Sequence, residues 1–117
     1  MGKNLTIDYT KEYASLQILP TKPILSSYDA EWNSISLEYH QHYAHEAPEH
    51  YPEQHIIVVH HKNLIEVERQ LDGHFHNEYV QKGDIVLSPA NIPHKARWKR
   101  KAEFTLLIIE PCSAHCL

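Results

Sequence analysis

A chain of 117 residues has room for one domain and one core, because single domains commonly run to about 100–150 residues. Hydrophobic residues at 42% and charged residues at 22% are ordinary for folded proteins, which excludes wholesale disorder. The longest apolar runs, residues 56–59 and 106–109, fall far short of the roughly 18 residues that span a bilayer, so neither a membrane helix nor a membrane partner is expected. A net charge of −4 gives no general attraction to nucleic acid. The first residues lack a basic segment followed by an apolar one and a cleavage site, which predicts a cytoplasmic protein. Cys112 and Cys116 would close only a tiny loop, so no disulfide framework is expected. Histidine is the oddity: there are 11, and six fall between His40 and His60.

Residues 1–33 show no sustained period, carry Pro20 and Pro23, and read as an irregular arm laid over the body of the domain. From Ile35 onward, Ile35, Leu37 and Tyr39 alternate with Ser36, Glu38, His40 and His42, which predicts a strand with a drier and a wetter face. Residues 45–52 contain two prolines and read as a turn or loop. Residues 54–61 form a β-branched run of strand length. Residues 64–71 alternate, Asp72-Gly73 is a strong hairpin signal, and residues 75–80 supply the returning strand. Turns at 81–84 and 89–93 frame a short strand at 85–88, and a further strand covers 94–100. There His94, Ala96 and Trp98 share one face, and Lys95, Arg97 and Lys99 take the solvated one. The apolar run at 104–110 suits a strand covered on both sides. Strands recurring every 8–12 residues without helical periodicity predict an all-β sandwich or barrel over 34–111, followed by a tail at 112–117.

The segment Gly83-Asp84-Ile85-Val86-Leu87-Ser88-Pro89-Ala90-Asn91-Ile92-Pro93-His94 resembles the second motif of the cupins, G-x5-P-x-G-x2-H-x3-N. Gly83, Pro89 and His94 match in spacing, Asn91 replaces the middle glycine, and Trp98 stands in place of the final asparagine. The first replacement is mild, since Asn follows Gly in tolerating positive φ. The resemblance implies a small jelly-roll β-barrel with His94 pointing into its mouth. In metal-binding cupins the first motif adds two histidines and a carboxylate. The corresponding region here is His50-Tyr51-Pro52-Glu53-Gln54-His55, with Pro52 at the second ligand position. The resemblance thus allows His50, His55 and His94 to hold one divalent metal, such as zinc, iron, manganese or nickel, with Glu53 or Gln54 as a fourth group. An alternative register, His40-Gln41-His42 followed by Glu46, has the literal spacing but lies one strand too early.

The remaining histidines have plainer readings. His40 and His42 read as hydrogen-bonded residues on a polar sheet face, and His60, His61, His74 and His76 as exposed or cross-strand paired. His115, near the two cysteines, offers only an adventitious zinc ligand. Trp98 reads as a core or pocket wall. No nucleophile elbow or phosphate-cradling glycine loop is present, and three glycines leave little scope for one.

Over about residues 19–111 the order of segments resembles the N-terminal domain of AraC-type transcriptional regulators. The resemblance is carried by residues 19–27, 32–38, 48–50 and 54–59, then 83–94, Trp98 and 103–111. It implies a domain that binds a small-molecule effector or mediates dimerisation. With no helix-turn-helix part in the sequence, direct nucleic-acid binding is not expected. The leading expectation is a ligand-binding module lined by His50, His55, His94 and Trp98, in which the arm moves when ligand binds and affinity falls as pH drops through about 6 to 7. The alternative is a metal-dependent enzyme of the dioxygenase or isomerase type, weakened by Pro52; a third reading is a dimerisation barrel with a filled interior. A homodimer fits all three.

Overall fold

The computed structural model describes residues 5–30 and 32–111. Cys112, His115 and Cys116 lie outside that range. Ten strands run in chain order: β1 (Thr6–Ile7), β2 (Leu25–Ser26), β3 (Ile35–His42), β4 (His45–Pro52), β5 (His55–His60), β6 (Ile65–Leu71), β7 (His74–Val80), β8 (Ile85–Ser88), β9 (His94–Trp98) and β10 (Ala102–Ile109). They form two five-stranded sheets, ordered β1-β4-β9-β6-β7 and β2-β3-β10-β5-β8. All the pairings are antiparallel except β1 on β4. The result is a jelly roll: the all-β architecture follows the alternating strands and regular turns, and the jelly roll follows the cupin resemblance. Among the described residues no helix is long and apolar enough to cross a membrane.

The turn chemistry is realised where the residues demand it. Asp72 and Gly73 take φ of 51° and 80°, the doubly left-handed turn that matches strand twist and joins β6 to β7. Gly83 has φ 92°, and Asn91 has φ 64° in the bend before β9. In β9 the inward set is His94, Ala96 and Trp98, while Arg97 faces out and Lys99, just past the strand, is exposed.

Three stretches depart from the sequence expectation. Residues 45–52 are a strand, β4, and not a loop. Pro48 is tolerated because the register against β9 shifts between Ala47 and His50, a bulge at which no ladder N–H is required. Pro52 falls between two ladder bonds to the N-terminal segment, Tyr51 N to Leu5 O and Glu53 N to Ile7 O, so its missing N–H is not needed there. The N-terminal segment does more than lie across the barrel: β1 extends the first sheet, and Ile7, Tyr9, Ala14, Ile18 and Leu19 enter the core. Gln54 fixes it in place, accepting from Tyr9 N at 2.8 Å and donating to Asp8 Oδ1 at 3.1 Å.

The third departure is β3, whose polar side faces inward. Glu38, His40 and His42 are buried, whereas Ile35 is exposed. The polar side can enter because its groups satisfy one another. His40 Nε2 meets Glu38 Oε1 at 2.8 Å, His40 Nδ1 meets His42 Nε2 at 2.8 Å, and His42 Nδ1 meets Thr21 Oγ1 at 3.2 Å. Phe104 stacks on His40 with ring centroids 5.5 Å apart. Inverting β3 places Leu37 on the outer face, where the row Leu37–Leu107–Ile57–Leu87 runs across four strands in register. The outer side of β10 is therefore only half-buried among the described residues, not covered on both sides as its apolar run predicts.

Candidate functional site

The inner faces of the two sheets enclose a cavity of about 90 Å³. Register explains why space remains there. Arg69 of β6 lies beside Ala96 of β9, which lies beside Ala47 of β4, so two small side chains leave the room into which one long side chain reaches. The neighbouring rows supply His94 beside His50 on one side and Trp98 beside Val67 on the other. The opposite wall carries Ile56, Val58 and His60 of β5, Val86 and Ser88 of β8, and Phe104 and Leu106 of β10. Tyr9, Ile18 and Leu19 complete the lining from the N-terminal segment.

Of the residues singled out in the sequence, His50, His94 and Trp98 come together at this cavity. His50 and His94 meet edge to face with centroids 5.5 Å apart. His50 Nδ1 donates to Pro48 O at 2.8 Å, which leaves Nε2 as its acceptor. Trp98 Nε1 donates to Tyr43 O at 3.0 Å, so the indole acts as a fixed wall. His55 is not brought to the cavity. The period of two on β5 sends Ile56, Val58 and His60 inward and His55 to the other side, where its Nδ1 accepts from Ala90 N at 2.9 Å. Glu53 is exposed, and Gln54 is occupied by the N-terminal segment.

The proposed metal set therefore does not converge, and among the described residues no three His, Cys, Asp or Glu side chains are placed to hold an ion. The alternative register fares no better. His40 spends both ring nitrogens on opposite neighbours, so Glu38 and His42 cannot share a point with it. Glu46 points outward, 3.9 Å from Lys95 Nζ. The donors do not fit a three-residue metal centre.

Burial, together with the nearby His50 and Arg69, pushes His94 down to about 3. Burial also lowers His50, against the pull of its bond to Pro48, and lowers His60. Burial thus favours the neutral form of all three imidazoles, which moves the expected loss of affinity toward lower pH. Among the polar lining residues, sequence reasoning missed three: His60, Arg69 and Ser88. The signal was present in the phase of β6, since Arg69 follows Ile65 and Val67 on the same face. Three buried atoms at the cavity lack a partner: Arg69 Nε, Ser88 Oγ and His94 Nε2. No carboxylate lines it among the described residues.

No family model and no curated protein sequence matches the chain. Solved structures do. A cupin protein from Bacteroides fragilis superposes with a TM-score of 0.60 at 13% identity, covering 76% of this chain and 77% of its own. A cupin-superfamily protein from Desulfitobacterium hafniense gives 0.57 at 10% identity, covering 69% and 72%. KdgF from a Halomonas species gives 0.56 at 16% identity, covering 74% and 76%. Two facing five-stranded sheets, and the overall likeness to these solved cupin structures, make this a cupin-fold domain.

Proposed function

We propose that the chain is a small-molecule-binding cupin module of the sensing and dimerising kind that the AraC-type resemblance implies. One observation carries the reading: an apolar cavity between the sheets into which three buried polar atoms project without partners. A buried donor or acceptor without a partner is unfavourable by about 1–3 kcal/mol, and a ligand that satisfies such atoms recovers that free energy on binding. The metal-enzyme reading is the weaker one, because His50 and His94 lack a third ligand. Dimerisation is supported by the outer face of the β3-β10-β5-β8 sheet, where Ile85 and Leu87 are 67% and 54% exposed beside half-buried Leu37, Ile57 and Leu107. Contiguous apolar surface of this kind marks interaction faces.

The test pairs a thermal-shift screen of small molecules with elemental analysis of untagged protein. Ligands that raise the midpoint in the wild type, and fail to in a cavity-filling Ala96→Leu variant, are the expected result. Near-stoichiometric metal lost in both His50→Ala and His94→Ala would overturn the reading in favour of a metal enzyme.

A further inference from the structure

Arg69 is the only Lys or Arg among the described residues lining the cavity. It is 9% exposed, and its Nη1 donates to Glu78 Oε1 at 3.2 Å. Glu78, its side chain 38% exposed, engages the guanidinium through Nη1. Nε keeps its proton without a partner, and so does Ser88 Oγ, which is 3% exposed. A guanidinium drawn out of water with an unused N–H is unfavourable unless something completes it. Apart from His50, His60 and His94, the rest of the wall is apolar or aromatic.

We propose that the cavity takes a small organic monoanion, a carboxylate on an apolar body, held through Arg69 and Ser88 with the body against Trp98, Phe104 and Leu106. The proposal rests on the binding-module reading and names its ligand class. The planar fork of Arg69 matches the geometry of a carboxylate, and charge-assisted bonds to it are the strong ones. A phosphate dianion fits less well, because beside the Arg69–Glu78 pair it would leave two net negative charges in largely apolar surroundings where a carboxylate leaves one. The cavity volume sets the size at roughly six to nine non-hydrogen atoms, if each replaces one water.

Hexanoate and benzoate, with hexanamide and benzamide as neutral matches and inorganic phosphate as a third arm, are titrated into ¹⁵N-labelled protein while the Arg69 Nε–H resonance is followed. Both acids are expected to bind more tightly than their amides and to shift that resonance. Arg69→Met should weaken the acids about tenfold to a hundredfold and leave the amides unchanged. Ser88→Ala, a milder change, should weaken the acids alone, and Glu78→Gln should tighten them. A melting midpoint for Arg69→Met at or above that of the wild type confirms its fold. Acids and amides binding equally, or acid binding indifferent to Arg69→Met and Ser88→Ala, would overturn the carboxylate proposal while the binding module stands. Phosphate binding more tightly than either acid would overturn the ligand class. No binding by any of these compounds at millimolar concentration would overturn both readings.

Discussion

Between Thr21 and Glu38, one arrangement with a single N–H on each ring and Glu38 accepting satisfies every contact. Thr21 Oγ1 donates to His42 Nδ1, His42 Nε2 to His40 Nδ1, and His40 Nε2 to Glu38. Burial, with His40 and His45 nearby, pushes His42 down to about 4, which keeps it in the neutral form this arrangement needs. Each member holds the next, so the chain stabilises the core only as a unit. His40→Leu would strand Glu38 and His42 together and is expected to destabilise by about 3–5 kcal/mol, measured by urea unfolding. Adding Glu38→Leu should recover part of that loss; a double variant no more stable than His40→Leu alone would argue that the groups act independently.

The bend between β8 and β9 aims His94, and Asn91 sets the bend with its left-handed φ of 64° and its N–H to Pro52 O at 2.6 Å. Asn91→Gly should stay within a few tenths of a kcal/mol of wild type, whereas Asn91→Val should be destabilising by about 1–2 kcal/mol, read from the same unfolding curves. This element was legible in the sequence because glycine, asparagine and proline at fixed spacing impose geometry locally. The β6–β7 hairpin was legible for the same reason. β4 was not, because Pro48 is admitted by a bulge against β9, a partner more than forty residues away that no local reading supplies. β3 was legible as a strand but with its faces exchanged: hydropathy sends His40 and His42 outward, while their mutual hydrogen bonds bring them in. The site divides likewise. His50, His94 and Trp98 follow from motif and alternation, and Arg69 was passed over because a charged residue reads as solvated until the cavity opposite it is known.

Among the described residues, four histidines are held below their usual value of 6.5 by burial: His42, His50, His60 and His94. In the unfolded chain they return to that value and take up protons as pH falls below it. The unfolded state then binds more protons than the folded one, so the contribution is full above pH 6.5 and is lost on acidification toward the depressed folded values, about 4 for His42 and about 3 for His94. Urea midpoints are expected to fall steadily from pH 7 to pH 5, with a slope of up to about 1.4 kcal/mol per pH unit for each fully suppressed histidine. His94→Gln should flatten the slope; midpoints independent of pH over this window would mean that the buried imidazoles carry protons in the folded state. The order of strands also sets a timetable. β10 lies between β3 and β5, with Ile109 opposite both Ile35 and His55. On the ribosome, β3 and β5 emerge first and each keeps one edge unpaired until residues 102–109 arrive to join them, so this sheet zips up only once β10 has been made.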